Sequence, residues 1–433
     1  MKKSKGLKAF HKLIQKSADC GLITRQELVS MLPPLFLDIQ PDDLVLDMCA
    51  APGSKTSQLL ELMTLGKEFS DILTCEGGVV ANDMDERRAY MLTHQIKRIN
   101  TPGMAVINHE GQFIPTLVDT KPQANSESKF DRKLYYDKIL VDVPCSGDGA
   151  IRKLPVRWKG WNTRDGTNLH NVQIQLLIRA FQLCKVGGTV VYSTCSLNPI
   201  ENEAVVTEVL RRAENFSPGS IEVLDTHGKL PGFKGRRGLS KWWVLQEKAK
   251  TISSRGVEGD EDYKDYPAED LFNIYSEFEE IDEKDKKKLK KSMFSLNEKD
   301  MKEKYKIHYS MRVLPHDQDT GGFYIAAFKK LSYCYFAEKP AENSKEPKAN
   351  GEDLAIAALR EHHEKKNEES GDKKEEEVGM VEVKSKNEKK KNKPRPGYPN
   401  LPKNAYIPFV ESMPAHWETI CEYYGLDRVY FFY

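Results

Sequence analysis

The sequence lacks the features that mark several common classes of protein. Its eight cysteines form no C-x-x-C pair and no cluster with histidine at zinc spacing, so they indicate neither a zinc site nor a disulfide scaffold. Separate free thiols suit a reducing compartment. No apolar run approaches the roughly 20 residues that a membrane span needs. The basic start of the chain is not followed by the apolar segment of a signal peptide.

An excess of charge of one sign is also missing. Lys and Arg together number 66 and Asp and Glu number 65, which leaves a net charge of +1. The total charge therefore gives no argument for a polyanionic partner, and only local basic patches can supply one. Charged residues make up 30% of the chain, which is high for one globule and predicts disordered segments.

The composition changes along the chain. Residues 1–43 predict a helical lead-in and residues 44–335 one folded domain, in which the charged stretch of about 246–305 is expected to be a surface insertion, partly helical. Residues 336–403 are rich in Lys, Glu, Asn and Pro, which predicts a disordered linker. The aromatic residues 404–433 are too few to bury a core alone, so they either dock on the folded domain or begin a domain that the chain does not complete.

Short apolar runs alternate with amphipathic stretches throughout the predicted folded domain. The runs predict strands at 44–48, 79–83, 104–108, 138–142, 189–193 and 322–328, and the stretches predict helices from about 55 and over 86–99, 172–184 and 202–213. Such alternation implies right-handed crossovers. We therefore predict an α/β fold with a mostly parallel, doubly wound sheet and helices on both of its faces.

Two cysteines follow buried strands and carry most of the functional signal. Cys145 comes directly after the run at 138–142, and Cys195 comes directly after the run at 189–193. Open α/β sheets bind ligands at the carboxyl ends of their strands, so both thiols are expected at the ligand-binding edge. The alternative is that both are small core residues, since free cysteine is often buried and inert.

The first strand is followed by a loop with the character of a cofactor site. The sequence D-M-C-A-A-P-G-S-K-T at 47–56 places small residues before a helix, whose amino end offers free N–H groups. Asp83 ends the next strand, where an acidic side chain can accept hydrogen bonds from ribose hydroxyls. A nicotinamide site would need G-x-G-x-x-G and a P-loop would need G-x-x-x-x-G-K, and both are missing. One glycine without a phosphate cradle suits a nucleoside cofactor without phosphates, such as S-adenosylmethionine.

These motifs together resemble the Sun/Nop family of RNA cytosine-5 methyltransferases. The resemblance rests on 47–56, A-N-D at 81–83, D-V-P-C-S-G-D-G at 142–149 and Y-S-T-C-S-L-N-P at 192–199, and the segments 24–34 and 314–323 resemble its eukaryotic tRNA branch. It covers about residues 7–330. It implies a Rossmann-like class I methyltransferase fold with a late antiparallel strand, and tRNA as the partner. It also implies that 404–433 is the start of an incomplete C-terminal RNA-binding region.

The resemblance implies a role for each matching position. Cys195 would be the nucleophile, Cys145 would assist release of the methylated base, and Asp142 would contact the cytosine edge. The S-adenosylmethionine pocket would be lined by Cys49, Ala50, Ala51, Pro52, Gly53, Ser54, Lys55, Asp83, Glu110 and Asp142. Position 110 departs from the family, which usually has Asp there; Glu keeps the hydrogen-bond acceptor but reaches one methylene further.

Two basic and aromatic clusters are candidates for holding RNA, because they combine phosphate contacts with stacking. The first comprises Arg152, Lys153, Arg157, Trp158, Lys159 and Trp161, and the second Arg236, Arg237, Lys241, Trp242 and Trp243. The alternative is a solvated surface with partly buried tryptophans. Lysine-rich runs at 284–291 and 386–393 are expected to be solvated charge.

Three other functions compete with tRNA methylation. The chain could bind RNA without catalysis, or carry out the same chemistry on ribosomal or messenger RNA. A cysteine hydrolase would need a histidine beside one of the thiols, and no sequence feature supplies one. The expected partner is tRNA, with no metal or membrane partner. The resemblance and the lysine-rich runs lead us to expect the nucleus, in particular the nucleolus, as the location.

Overall fold

A computed structural model of the chain describes residues 4–66, 76–99, 101, 103–118, 133–154, 161–248 and 272–336. The chain divides into two compact units, one formed by Met1–Leu117 with Leu134–Lys339 and the other by Val118–Lys133 with Pro340–Tyr433. The sheet and the site described below lie in the first unit. Apart from residue 336, the predicted linker and the aromatic end of the chain lie outside the described residues.

The first unit contains most of the regular elements. The helices are α1 (Lys5–Asp19), α2 (Leu32–Leu35), α3 (Ser54–Thr64), α4 (Glu86–Ile96), α5 (Thr163–Leu183), α6 (Glu203–Phe216) and α7 (Pro315–Gln318). The strands are β1 (Leu44–Asp47), β2 (Gly78–Asn82), β3 (Met104–Ile107), β4 (Leu117–Val118), β5 (Lys133–Leu134), β6 (Tyr136–Asp142), β7 (Cys184–Thr194), β8 (Ile221–Leu224), β9 (Arg236–Arg237), β10 (Val244–Glu247), β11 (Phe272–Tyr275), β12 (Met311–Val313) and β13 (Phe323–Lys330).

The main sheet confirms the predicted fold class. Its strand order is β3-β2-β1-β6-β7-β13-β12-β9, with β8 paired to β13 beside this path. The neighbouring strands β3, β2, β1, β6 and β7 are parallel, and β13 runs antiparallel to β7. After β1 the chain moves outward to β2 and β3, then returns to β6 on the other side of β1. This change of direction opens a crevice at the carboxyl ends of β1 and β6, where doubly wound sheets bind ligands.

The alternating side chains of the sheet build two cores. Along β6, Ile139 and Val141 join the core under α5 and α6, while Leu140 joins the core under α2, α3 and α4. In β7, Tyr192 and Val191 divide between the two cores in the same way. Both faces of these strands are apolar because both are covered by helices, which explains why the sequence shows continuous apolar runs there.

The charged stretch differs from the surface insertion that its composition predicts. In its described part, β10 and β11 form an antiparallel hairpin. Beyond the hairpin, apolar side chains between the lysines are buried in the core under α5 and α6, namely Leu289, Met293, Phe294, Met301 and Tyr305. The lysines conceal this apolar face in the composition, because the segment has few regular turns to give it a period.

Candidate active site

The two cysteines lie where neighbouring parallel strands end. Asp142 is the last residue of β6 and pairs in register with Ser193 of β7, so the loops that follow the two strands leave the sheet side by side. The Sγ atoms of Cys145 and Cys195 are 3.3 Å apart. Both thiols are free and partly buried. The structure therefore brings together the two thiols that the sequence places at the same edge.

The contact between the sulfurs makes the two thiols unequal. The hydrogen bond with Cys145 lowers the pKa of Cys195 below its usual value. The same bond, followed by burial, raises the pKa of Cys145 well above it. The proton is thus favoured on Cys145 and the thiolate on Cys195. Because the thiolate is the nucleophilic form, Cys195 is the better prepared nucleophile of the two.

Asp142 lies beside the thiols and is fixed by two donors. Lys55 Nζ is 2.7 Å from its Oδ2, and Ser193 Oγ donates to its Oδ1 at 2.7 Å. Lys55 also donates to Ser30 Oγ at 2.7 Å and lies 5.3 Å from the centre of the Phe323 ring. Only 11% of the Lys55 side chain and 25% of the Asp142 side chain are exposed, so this ion pair is poorly screened by solvent.

The loop after Cys145 depends on a glycine for its closeness to Cys195. Gly149 N donates to the Cys195 carbonyl at 2.9 Å, and Gly322 N donates to the Gly149 carbonyl at 2.8 Å. A Cβ atom on Gly149 would lie 2.5 Å from the Gly322 oxygen and 2.7 Å from the Cys195 oxygen. No side chain fits there. The start of β13 therefore holds the two cysteine loops together through the backbone.

A cavity of about 180 Å³ adjoins this cluster. It is lined by Arg25, Gln26, Glu27, Ser30, Asp47, Cys49, Ala50, Ala51, Pro52, Ser54, Lys55, Asp142 and Lys153. The predicted loop thus forms one wall, and the lead-in segment that resembles the tRNA branch forms another. Gly53 turns the loop into α3 with φ +106, and a Cβ there would lie 2.9 Å from Leu92 Cδ1.

Asp47 gives this cavity a buried carboxylate oxygen that can accept a hydrogen bond from a ligand. It is fully buried, and its Oδ2 accepts a bond from Thr56 Oγ1 at 2.7 Å. Its Oδ1 has no partner among the described residues. Burial raises the pKa of Asp47 to about 7. A buried carboxylate oxygen that lines a cavity beside free helix N–H groups fits S-adenosylmethionine, whose amino and sulfonium groups are cationic.

Asp83 and Glu110 stay predictions as cofactor ligands. Asp83 is buried and accepts from Ala51 N at 3.2 Å, so it supports the loop, and Arg88 lies 3.4 Å away. Glu110 follows β3, is exposed and accepts from Gln112 Nε2 at 2.8 Å. Neither carboxylate lines the cavity: Asp83 follows β2, which is beside β1, and Glu110 follows β3, which is one strand further out.

Several contacts of the site were not predicted from the sequence. The ion pair of Lys55 with Asp142 joins distant loops, and Arg88 donates to the Ala51 carbonyl at 2.7 Å. Glu201 is fully buried behind the thiols and accepts bonds from the residues that follow them. A charged residue directly after the second cysteine motif was the one available clue to Glu201.

The basic clusters are confirmed as exposed only in part. Trp242 is 5% exposed and donates from Nε1 to the Met293 carbonyl at 2.9 Å, so its prediction as an RNA-stacking residue is wrong. Trp243 beside it is 69% exposed. Arg236 pairs with Asp317 at 2.7 Å, and Arg152 pairs with Asp319. The predicted contacts Arg157, Trp158 and Lys159 lie outside the described residues.

The described residues contain neither a metal-binding cluster nor a membrane-spanning helix. Within the described ranges, no three His, Cys, Asp or Glu side chains converge in a way that could hold a metal ion. No described helix combines the length and the apolar character of a membrane span. His170, the most buried histidine, bonds through Nδ1 to the Ile200 carbonyl at 2.7 Å and through Nε2 to Ser292 Oγ at 2.9 Å.

Comparison with known proteins identifies the family. Residues 34–242 match the family described as 16S rRNA methyltransferase RsmB/F. The chain is 39% identical over 356 residues to the tRNA (cytosine(34)-C(5))-methyltransferase of Drosophila melanogaster, covering 81% of this chain and 43% of the fly protein. It is 43% identical over 311 residues to the multisite-specific tRNA:(cytosine-C(5))-methyltransferase of Saccharomyces cerevisiae, covering 72% of this chain and 39% of the yeast protein. Residues 34–242 of the chain belong to the RsmB/F family of methyltransferases.

The likeness covers only part of the relatives. A third relative, the multisite-specific tRNA:(cytosine-C(5))-methyltransferase trm4b of Schizosaccharomyces pombe, is 40% identical over 340 residues, which cover 76% of this chain and 45% of that protein. The chain thus spans less than half the length of each of these three relatives. The segment that matches the family, residues 34–242, includes Asp142 and both thiols.

Proposed function

We propose that this chain transfers a methyl group from S-adenosylmethionine to carbon 5 of cytosine in tRNA, through a covalent adduct between Cys195 and the base. The observation that carries the proposal is the 3.3 Å contact of the Cys145 and Cys195 sulfurs at the ends of β6 and β7. Asp142 and the cavity under the 49–55 loop adjoin that contact. Membership in a methyltransferase family supports the reaction class, and the names of the relatives support the base and the RNA.

A thiolate nucleophile overcomes the low reactivity of carbon 5 of cytosine. Carbon 5 of cytosine is too weak a nucleophile to take a methyl group directly. When Cys195 adds to carbon 6, the ring becomes an enamine and carbon 5 becomes nucleophilic, so one difficult step is divided into easier ones. The lowered pKa of Cys195 increases the fraction of thiolate at neutral pH. Bound S-adenosylmethionine supplies the methyl group in this reaction.

Asp142 and Lys55 provide the polar side of the base site. The Asp142 carboxylate is held by two donors and still has lone pairs for the exocyclic amino group of a cytosine. Lys55 places a positive charge beside the ring, where negative charge accumulates when the thiolate adds. Because both side chains are fixed before the base arrives, little reorganisation accompanies that change in charge.

Cys145 is suited to the release step. After methyl transfer the carbon 5 proton must leave, and the bond between Cys195 and carbon 6 must break. The main cause that holds the proton on Cys145 is its bond to Cys195. When the Cys195 sulfur is a thioether, that cause is weakened, so Cys145 can give its proton to water and then accept the one from carbon 5, and the Cys195 thiolate leaves carbon 6 as the ring double bond forms again.

The proposal also specifies which class of RNA is the substrate. The relatives named above act on tRNA, whereas the matching family is named for 16S rRNA. We favour tRNA because the identity to the tRNA enzymes extends over more than 70% of this chain. The target cytosine must leave its stack to reach the thiols, which favours bases already exposed by RNA folding.

The first experiment is methyl transfer from radiolabelled S-adenosylmethionine to unmodified tRNA and, in parallel, to a 16S rRNA fragment. Wild-type protein is compared with Cys195→Ala and with Cys184→Ala, a matched control that removes a buried thiol at the start of β7. We expect label in tRNA cytosine with the wild type and the control, and none with Cys195→Ala. Label only in rRNA would overturn the substrate, and no label in either RNA would favour a non-catalytic RNA-binding protein.

Cys145→Ala tests the assignment of the two thiols. It should form the adduct at Cys195 and fail to release it, which gives a denaturant-resistant band of protein bound to RNA. The band should be absent from the double variant Cys145→Ala/Cys195→Ala. A band that appears with Cys195→Ala instead would reverse the two roles.

A further inference from the structure

Glu201 is a buried carboxylate that joins both cysteine loops. It lies between β7 and α6 and has no solvent exposure. Its Oε1 accepts bonds from Ser146 N at 2.8 Å and from Gln173 Nε2 at 3.1 Å. Its Oε2 accepts from Ser196 Oγ at 2.7 Å and also from Ser146 Oγ. Three residues from separate elements thus meet on one side chain.

The partners of Glu201 are the direct neighbours of the two thiols. Ser146 follows Cys145 in the chain, and Ser196 follows Cys195. Gln173 of α5 completes the arrangement, because its Nε2 also donates to the Pro144 carbonyl at 2.9 Å. The carboxylate therefore holds the residues on both sides of Cys145 and the residue after Cys195 in one network.

A carboxylate is an energetically unfavourable side chain at this buried position. All the groups that donate to Glu201 are neutral, and burial raises its pKa while these hydrogen bonds oppose the change. A buried charge without a cationic partner costs stability, which the four bonds offset. A buried carboxylate of this kind indicates a specific role, because its bonds hold the residues next to both thiols.

We propose that Glu201 is a positioning residue that holds the Cys145 loop against the Cys195 loop, so that the two sulfurs stay in contact. This inference rests on the proposed two-thiol reaction, in which Cys145 must act on the base that Cys195 holds. Its negative charge adds a second effect, since it is among the causes that keep the proton on Cys145. Glu201 touches no reacting atom and acts through Ser146, Ser196 and Gln173.

Two substitutions separate the hydrogen bonds of Glu201 from its charge. Glu201→Ala removes both. In Glu201→Gln, the amide oxygen can accept the bonds of Ser146 N and Gln173, and the NH₂ group can donate to the two serine hydroxyls, which turn to accept. Glu201→Gln therefore keeps the network and loses the charge. Glu208→Gln is the control, because Glu208 is a buried carboxylate on α6 that accepts bonds from Arg211 and Arg212.

The first readout needs neither RNA nor methyl transfer. Diamide oxidises a pair of adjacent thiols to a disulfide and is itself reduced to a hydrazine, and mass spectrometry follows the loss of two hydrogens from the Cys145–Cys195 pair. Sulfurs in contact should close rapidly in the wild type, in Glu208→Gln and in Glu201→Gln. Glu201→Ala should close at least about tenfold more slowly, because a disulfide tolerates little change in sulfur geometry.

The second readout is methyl transfer. Glu201→Ala should lose about a hundredfold in kcat, the effect of a displacement of about 1 Å at a reacting group, while the KM for S-adenosylmethionine stays unchanged because the 49–55 loop is separate from Glu201. Glu201→Gln should recover most of this loss. If Glu201→Ala closes the disulfide and turns over at the wild-type rates, the inference is overturned. It is also overturned if Glu201→Ala and Glu201→Gln lose kcat equally and both bind the cofactor more weakly. A wild type that closes the disulfide but methylates no RNA would instead refute the proposed function.

Discussion

The thiol rim and the basic surface beside it are built on different principles. At the thiol rim, formed by Asp142, Cys145 and Cys195, the polar side chains are fixed by partly or fully buried partners. On the basic surface, formed by Arg152, Arg236, Arg237 and Trp243, the arginines pair with aspartates and remain more than half exposed. The chemistry is therefore preorganised, whereas the surface can rearrange when it meets a polyanion.

This difference assigns different consequences to substitutions in the two regions. A change at the rim alters groups that solvent does not screen, so its effect falls on kcat. A change on the surface alters contacts that phosphate oxygens and water can replace, so its effect falls on RNA binding and its salt dependence. The substitutions below test where the boundary between the two regions lies.

Two adjacent tryptophans give the largest expected contrast in stability. Trp242 is 5% exposed and Trp243 is 69% exposed, although both belong to the same cluster in the sequence. Trp242→Ala should reduce the free energy of unfolding by about 3–5 kcal/mol, because it leaves a cavity and an unpaired Met293 carbonyl. Trp243→Ala should leave chemical denaturation unchanged and weaken RNA binding. Equal stability losses would place both tryptophans in the core.

Lys55 tests whether the ion pair with Asp142 belongs to the chemistry. Lys55→Met should lower kcat by about a hundredfold, because the buried Asp142 charge loses its partner and the ring loses a nearby cation. Lys153→Met is the control, since Lys153 lines the same cavity but is 63% exposed and pairs with Glu27 at 3.4 Å. The control should change only the KM for RNA. A loss of kcat in both variants would mean that the cavity responds to total charge.

The sequence predicts the thiol rim better than the basic surface for a physical reason. Parallel strands end at one edge, so two cysteines that follow neighbouring strands must meet there, and their motifs locate both. The ion pair of Lys55 and the network of Glu201 depend on how turns direct side chains across the site, which no local pattern encodes. The core is similar. The six predicted strands are present in the main sheet, but β7 begins at Cys184 and not at 189, and β8, β9 and β12 were not predicted. The buried side chains of the charged stretch were hidden among lysines.

Trp242 shows a burial that the sequence pattern does not reveal. In the structure, buried and exposed residues alternate through Trp242, Trp243 and Val244, as in a strand with one covered face. In the sequence all three residues are hydrophobic, so no alternation of polar and apolar residues separates the buried tryptophan from the exposed one. Local period decides burial at such positions, because a strand residue can face only one of two sides.

Asp47 tests whether a buried carboxylate of the cofactor cavity reduces the stability of the protein. A carboxyl group whose folded-state pKa is raised to about 7 from 3.8 contributes stability below pH 3.8 and loses it as the pH rises through 7. Asp47→Asn should therefore be more stable than the wild type by about 2 kcal/mol at pH 8, since each pKa unit corresponds to about 1.4 kcal/mol and the amide must also be buried.

The pH dependence supplies the control for Asp47. Thermal melts between pH 5 and pH 8 should show a gain for Asp47→Asn that grows with pH, while the affinity for S-adenosylmethionine falls. A gain that is equal at all pH values would assign the effect to packing and not to the charge of Asp47. Unchanged cofactor affinity would remove Asp47 from the cofactor site.

Arg236 should give the smallest effect, and its sign depends on its partner. Arg236 donates to both oxygens of Asp317 at 2.7 and 2.8 Å, and it holds the pKa of that carboxyl below its usual value. A phosphate must therefore compete with Asp317 for the guanidinium. Arg236→Ala should raise the KM for RNA about threefold and reduce the slope of log affinity against log salt by about 1, with kcat unchanged. Asp317→Asn should do the opposite, because it frees the guanidinium for phosphate. If Asp317→Asn weakens RNA binding instead, the pair orients Arg236 for the RNA, and this part of the surface is preorganised in the same way as the thiol rim.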